Sequence, residues 1–352
     1  MKSKLLLVLI LLTAAAGTKA EDLRKLLSLS GTWMFSIGDD MQWASPAYDD
    51  SKWDRINVPD KWEDQGYEDY NGYAWYRKEF RPADIPKNVQ VILMLGRIDD
   101  ADAVYLNGKL LARSGDFPPY PETAYDRTRR YVIPDGLLKV DAENIIAVRV
   151  YDSQQDGGIV DGPVGLFYDA DVELMNLNLT GKWKIHEGDN KEWKEPGFND
   201  NDWKRIQVPS EWESGPLHNY DGYAWYRVNF RVPANFTGST LYLSLGKIDD
   251  VDDVYLNGRY VGSVYDIRTN HRHWGDGWEW NIRRVYKISG SWLKPGEINN
   301  IAVRVYDGQG VGGIYQGPVG IMSPENYRRY KDKHPSYENS FWEFIFGDYY
   351  ER

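Results

Sequence analysis

The sequence predicts an all-β chain built as two tandem antiparallel β-sandwich domains of jelly-roll type, on three observations. First, the chain repeats itself: Gly31-Thr-Trp33 recurs as Gly181-Lys-Trp183, and Trp53-Asp-Arg-Ile-Asn-Val-Pro59 as Trp203-Lys-Arg-Ile-Gln-Val-Pro209, at an offset of 150 residues. A period this long means whole domains, since solenoid units run about 20 to 50 residues. Second, short runs rich in branched residues, Val91 to Leu95 and Ile145 to Val150 in one copy, alternate with turn signals such as Asn107-Gly108, a strong hairpin cue. Third, helix-length amphipathic stretches are few, which fits a sandwich or jelly roll.

Taken in order, the chain opens with Lys2 and Lys4, an apolar run from Leu5 to Leu12 and the small-x-small triplet Thr18-Lys19-Ala20. This is the pattern of a secretory signal peptide over residues 1–20, too short for the ~20 apolar residues of a membrane span. The protein is therefore expected to be exported, to a periplasm or the extracellular space, with no transmembrane segment. Residues 21–174 form the first expected sandwich and 175–322 the second. In the second, Leu241-Tyr-Leu-Ser-Leu245 and Ile301-Ala-Val-Arg-Val305 alternate large apolar with small or polar residues, predicting strands with one face fully buried. Ile146 to Asp152 matches Ile301 to Asp307 at an offset of 155, so the second copy carries five extra residues between Gly258 and Tyr286. Residues 323–352 are an aromatic-rich C-terminal tail with Tyr327, Tyr330, Tyr337, Phe341, Trp342, Phe344 and Phe346. It is expected either to pack back onto the second sandwich or to contact a catalytic or dimer partner.

Composition removes several function classes. The 352 residues carry 42 basic and 53 acidic side chains, a net charge of −11, so the basic surface that nucleic acid requires is missing. The absence of cysteine excludes disulfides, thiolate nucleophiles and cysteine zinc sites.

The strings Val58-Pro-x-x-Trp62-Glu63, Gly72-x-x-Trp75-Tyr-Arg77, Leu95-Gly-x-Ile-Asp-Asp100, Val104-Tyr-Leu-Asn-Gly108 and Asn144-x-Ile-Ala-Val-Arg-Val150 resemble the N-terminal sugar-binding β-sandwich of family 2 glycoside hydrolases. The Ile-Asp-Asp-x-Asp string and Gly157-Gly-Ile159 look closer to the related module of sialate O-acetylesterases. Both copies carry the pattern, from about Leu26 to Met322. The resemblance implies a galactose-binding-like fold that accompanies a catalytic domain. Two sandwiches leave no room for a TIM barrel of typically ~250 residues, and no Gly-x-Ser-x-Gly elbow is present. The leading expectation is therefore an exported, non-catalytic carbohydrate-binding or accessory protein of glycan degradation. The alternatives are a glycoside hydrolase or carbohydrate esterase component working with a separate catalytic partner, and a structural protein-interaction module.

A sugar-binding surface needs an aromatic platform for the flat pyranose face and polar partners for its hydroxyls. The duplicated Trp33, Trp53 and Trp75, with Trp183, Trp203 and Trp225, are expected to be structural, which directs attention to unshared aromatics. The lengthened loop of the second copy offers Trp274, Trp278 and Trp280 with Asp276, Glu279 and Arg272, and its counterpart in the first copy offers Tyr120 and Tyr125. A loop folded over its own domain is the alternative. Two acidic clusters, Asp99, Asp100 and Asp102 and their copies Asp249, Asp250 and Asp252, are candidate ligands for calcium, a hard cation that takes carboxylate oxygens. The competing expectation is that these aspartates cap turns and pair with recurrent arginines such as Arg77 and Arg149, or Arg227 and Arg304. His271 and His273 would share one face of an extended segment, but two ligands do not make a metal site.

Overall fold

A computed structural model of the chain describes residues 23–87, 89–264 and 279–335. Ten strands precede Ala170: β1 (Leu23–Ser28), β2 (Gly31–Ile37), β3 (Asp54–Val58), β4 (Gly72–Phe80), β5 (Val91–Asp99), β6 (Ala101–Leu106), β7 (Lys109–Ser114), β8 (Thr128–Val132), β9 (Asn144–Asp152) and β10 (Gly158–Asp169). They form a four-stranded sheet ordered β1-β10-β5-β8 and a six-stranded sheet ordered β3-β2-β4-β9-β6-β7, with every pairing antiparallel. Ten more strands follow: β11 (Leu177–Asn178), β12 (Gly181–Glu187), β13 (Lys204–Val208), β14 (Gly222–Arg231), β15 (Thr240–Asp249), β16 (Val251–Leu256), β17 (Arg259–Val264), β18 (Arg283–Ser289), β19 (Ile298–Asp307) and β20 (Gly313–Met322). Their sheets, β11-β20-β15-β18 and β13-β12-β14-β19-β16-β17, have the same order. The fold is therefore all-β, with two antiparallel sandwiches in sequence.

In each sandwich the inner faces of the two sheets close on one apolar core. Trp33, Phe35, Trp62, Tyr76, Leu93, Leu95, Val148 and Leu166 fill the first, and Trp183, Ile185, Trp212, Tyr226, Leu243, Leu245, Val303 and Ile321 the second. The hairpin cue is realised: Asn107 and Gly108 turn β6 into β7 with φ of 53° and 80°, both positive as a tight two-residue turn demands.

The one-face expectation fails for β19. Every residue from Ile301 to Val305 is buried, because the outer face of the six-stranded sheet is itself covered. Trp193, Phe198, Trp203, Trp225 and Tyr255 pack there against Ala302, and Arg304 lies over the Tyr223 ring while pairing with Asp189 at 2.5 Å. Trp43, Trp53, Trp75 and Tyr105 do the same in the first sandwich. The duplicated tryptophans are thus committed to packing, with Trp53 half-buried and Trp33, Trp75, Trp183, Trp203 and Trp225 buried.

A helix, α1 (Pro324–Lys333), follows β20. Ser323 caps it by accepting the Asn326 amide at 3.2 Å, and proline stands in its first turn. Its inner face settles on the second sandwich: Tyr330 is buried with Leu174, Met175 and Met322, and Tyr327 stacks on Tyr242 at 3.8 Å between ring centroids. The described part of the tail therefore packs back, while residues 336–352, with Tyr337, Phe341, Trp342, Phe344 and Phe346, lie outside the described residues, as do residues 1–22. Among the described residues no helix is long and apolar enough to cross a membrane.

The register between β5 and β10 shifts opposite Gly96, as that between β15 and β20 does opposite Gly246. At Gly96 φ is +63°, and a Cβ there would sit 1.7 Å from the Asp161 carbonyl oxygen; at Gly246 the corresponding approach is 1.8 Å to Gln316 O. Backbone oxygen cannot yield as a flexible side chain can, so Gly96→Ala and Gly246→Ala should each cost more than about 2 kcal/mol. Gly197→Ala, which meets nothing within 4 Å, is the control and should be close to neutral. Thermal unfolding of the three variants checks this; equal melting temperatures for all three would contradict it.

Candidate functional site

The site is built at one end of each sandwich, where three connections converge. In the first sandwich these are the β5–β6 corner at Asp99 and Asp100, the β9–β10 loop beginning at Asp152, and the β7–β8 loop over residues 115–127. A buried arginine fastens the corner to the β7–β8 loop. Arg129 Nε donates to Asp102 at 2.6 Å, Nη2 to the carbonyls of Ile98 and Asp100 at 2.7 and 3.0 Å, and Nη1 to the carbonyls of Ala124 and Arg127. Asp102 also accepts the Tyr131 hydroxyl at 2.7 Å. The second sandwich repeats the arrangement. Arg284 Nε donates to Asp252 at 2.8 Å, Nη2 to Asp250 O at 2.6 Å, and Nη1 to the carbonyls of Glu279 and Ile282 at 2.5 and 2.6 Å; Tyr286 donates to Asp252.

These contacts correct two expectations. Asp102 and Asp252 do not stand with their neighbours as ligands, because both carboxylates are fully buried and taken by Arg129 with Tyr131 and by Arg284 with Tyr286. Nor do the acidic clusters pair as a whole with the expected arginines. Arg77 pairs with Asp50 at 2.7 Å, Arg149 with Asp39 at 2.5 Å and Arg227 with Asp200 at 2.8 Å. Arg304 reaches only the last acidic residue, Asp253, at 3.4 Å, besides Asp189.

With Asp102 and Asp252 committed elsewhere, the acidic group at the corner has other members. One carboxylate oxygen each from Asp99, Asp100 and Asp152 lie within 4.8 Å of one another, and Asp249, Asp250 and Asp307 repeat this. Asp100 accepts from the Ser153 amide and hydroxyl at 3.0 and 2.6 Å and from the Thr123 hydroxyl. Burial opposes its charge, yet these donors hold its pKa below the ordinary carboxylate value. Asp99 moves the other way: burial, then its hydrogen bond to Asp100 and the charges of Asp100 and Asp152, push it up to about 7. Burial raises Asp152 to about 6, Asp249 to about 9 and Asp307 to about 7, with neighbouring carboxylates adding to each. Asp152 and Asp307 were missed as site residues, although both stand at the end of the repeated string Ile-Ala-Val-Arg-Val-Tyr-Asp.

Tyr120, Tyr125 and Trp280 sit on the segments that the arginines anchor. Tyr120 and Tyr125 are 85% and 53% exposed on the β7–β8 loop. That loop is held down by an Asp116–Glu122 bridge, by Thr123 on Asp100 and by Phe117, which stacks at 15° on Tyr73 beneath Arg149. In the second sandwich Trp280 is 41% exposed and lies in a short turn over Glu279–Asn281, where its carbonyl accepts the Tyr315 hydroxyl at 2.7 Å and Lys247 bonds Asn281 at 2.5 Å. Glu279 and Trp280 are adjacent on this turn. Arg272, Trp274, Asp276 and Trp278, with His271 and His273, lie outside the described residues.

A cleft of about 340 Å³ runs between the sandwiches, lined by Leu110 to Arg113 of β7 and by Glu213, Ser214, Gly215 and His218. It contains none of the residues selected from the sequence. Beside it, Asp116 accepts His218 Nε2 at 3.0 Å and Asn219 Nδ2 at 3.2 Å, joining the halves.

The two antiparallel sandwiches in series are β-sandwich modules of the family 2 glycoside hydrolase type. The chain belongs to the family described as the beta-galactosidase second all-beta domain, which matches residues 38–156 and again residues 188–307. Among curated relatives, the beta-galactosidase BoGH2A of Bacteroides ovatus is 27% identical over 195 residues, 50% of this chain and 20% of that protein. A beta-glucuronidase of Formosa agariphila is 23% identical over 103 residues, 26% of this chain and 10% of that protein. The chain therefore spans a small part of the length of these relatives. Among solved structures, the Bacteroides uniformis beta-glucuronidase aligns with 84% of this chain and 28% of its own, at 18% identity and a TM-score of 0.35.

Glu213 gives the cleft a testable electrostatic property. Its Oε2 accepts the Gly312 amide at 2.9 Å, but Oε1 is buried without a partner, and burial pushes its pKa up to about 9 from an ordinary 4.5. Because the folded value lies above the unfolded one, this group's contribution to stability is complete below about pH 4.5 and is lost as pH rises towards 9. Glu213→Gln copies the neutral acid and removes that loss. Its melting temperature should match the native chain's near pH 5 and exceed it by roughly 2–4 °C at pH 8, measured by calorimetry in chelator. A gap that closes as pH rises would contradict this assignment.

Proposed function

We propose that the chain is an exported carbohydrate-binding accessory protein of glycan degradation, without glycan-cleaving chemistry of its own, whose ligand platform lies on the loops of the second sandwich. The observation that carries this reading is the exposed Trp280 beside Glu279, on the loop turn fastened by Arg284, while the tryptophans that recur in both halves are committed to packing. An indole face offers apolar contact to a pyranose and a neighbouring carboxylate accepts from its hydroxyls. Trp274, Trp278, Asp276 and Arg272, from the inserted stretch, complete the proposed platform. Tyr120 and Tyr125 offer a weaker counterpart in the first sandwich. Relatives named beta-galactosidase and beta-glucuronidase point to glycans bearing galactose or glucuronic acid. A second reading, an accessory component acting beside a separate catalytic partner that docks through the C-terminal tail, is favoured by the greater length of those relatives, of which this chain matches 10% and 20%.

A glycan array probed with residues 21–352, followed by calorimetry on the best hit, tests the reading. Removing a stacking aromatic costs ~2 kcal/mol, so Trp280→Ala and Trp278→Ala should each weaken binding about 30-fold with little change in melting temperature. Tyr120→Ala and Tyr125→Ala should weaken it less. Binding that is indifferent to both tryptophans would remove the platform, and hydrolysis of the glycan by the chain alone would overturn the non-catalytic reading.

A further inference from the structure

The trio Asp99, Asp100 and Asp152 has a feature that a solvated acidic patch lacks. Asp152 is 0% exposed; its Oδ1 accepts the Gln154 amide at 3.1 Å, but its Oδ2 is buried and accepts no hydrogen bond. Asp307 repeats this in the second sandwich, also at 0% exposure: Oδ1 accepts the Gln309 amide at 3.2 Å and Oδ2 is buried without a partner. A buried carboxylate oxygen without a donor is costly, and these two belong to the groups whose oxygens converge within 4.8 Å. Among the described residues no ion pair reaches Asp99, Asp100 or Asp152, nor Asp249, Asp250 or Asp307, and the nearest guanidinium in each half is committed to Asp102 or Asp252.

We propose that each sandwich binds one hard divalent cation of the calcium class, held by Asp99, Asp100 and Asp152 in the first and by Asp249, Asp250 and Asp307 in the second. Calcium takes oxygen ligands at about 2.3–2.6 Å, so two oxygens on opposite sides of one ion stand up to ~5 Å apart, which accommodates the observed convergence. The donor set is oxygen only, with neither imidazole nor thiolate, which selects a hard cation over zinc or copper. The ion would give the orphaned oxygens of Asp152 and Asp307 their missing partner and relieve repulsion among three carboxylates. It would also brace the corner to the loops, since Asp100 holds Thr123 and Ser153, and Asp250 holds the Gly308 amide at 3.0 Å. This site is separate from the proposed aromatic platform and needs no glycan.

The test uses the full chain, stripped with EDTA and returned to chelator-free buffer. Calcium titration calorimetry and sensitised terbium luminescence should report two ions per chain, and saturating calcium should raise the melting temperature by at least about 3 °C. Asp152→Asn and Asp307→Asn should each remove one ion, and the double variant both. If a variant fails to fold, the stoichiometry and thermal shift of the native chain, with Asp100→Asn and Asp250→Asn as replacements, decide the matter. A native chain that takes up no calcium at 10-fold molar excess in millimolar solution, or whose uptake survives both substitutions, overturns the proposal; a stoichiometry of one overturns it for the half whose substitution has no effect.

Discussion

The ion pair between Arg129 and Asp102, with its counterpart Arg284 and Asp252, is the constraint on which the candidate functional end of each sandwich depends. A guanidinium is tolerated at 0–1% exposure only if its charge and its five N–H groups are answered. Here one carboxylate answers the charge, while carbonyls from the β5–β6 corner and from Ala124 and Arg127 at the end of the adjoining loop answer the remaining donors. Burial works against the charge, yet Asp102 holds the Arg129 pKa above its usual value. The corner and the loop are thereby tied to one buried point, and the position of Asp99, Asp100 and Thr123 follows from it. Removing either partner would strand the other in a dry interior, where an unpaired charge typically costs 3–5 kcal/mol.

What the two halves share and what they do not share then have different meanings. The inner cores, the aromatic cover on the six-stranded sheets, the Arg–Asp pairs and the carboxylate trios recur. They are the frame and the features that accompany it. The loops hung on the frame differ: the first is folded down by Phe117 and Thr123 with Tyr120 at its exposed tip, and the second presents Trp280 beside Glu279. Loops on a rigid sandwich change without disturbing the core, and the proposed recognition is assigned to such unshared residues for that reason.

Much of the frame was legible because it is local. Branched runs, the Asn107-Gly108 turn and the repeated tryptophans report strand, hairpin and core within a few residues of sequence. The arginine partners were not legible, because a charge pair is chosen by tertiary distance: Arg77 finds Asp50 and Arg149 finds Asp39 on the covered outer face, leaving Asp102 to Arg129. The insertion hid the signal that could have shown this. Arg129 and Tyr131 recur as Arg284 and Tyr286, but at an offset of 155, beyond the point where the 150-residue register ends. Asp152 and Asp307 were overlooked for a related reason, since sequence shows them as the ends of strands and only the fold brings β9 and β19 to the corner. Trp274 and Trp278 of the proposed platform lie outside the described residues, so for them the sequence remains the guide.

A double-mutant cycle on Arg129 and Asp102 addresses the central constraint most directly. Chemical unfolding of Arg129→Met, Asp102→Asn and the double variant should show single losses of about 3 kcal/mol or more and a double loss little larger than one of them, giving a coupling of at least ~2 kcal/mol. Strictly additive losses, with coupling below about 0.5 kcal/mol, would show that the corner and its loop do not hang on this pair.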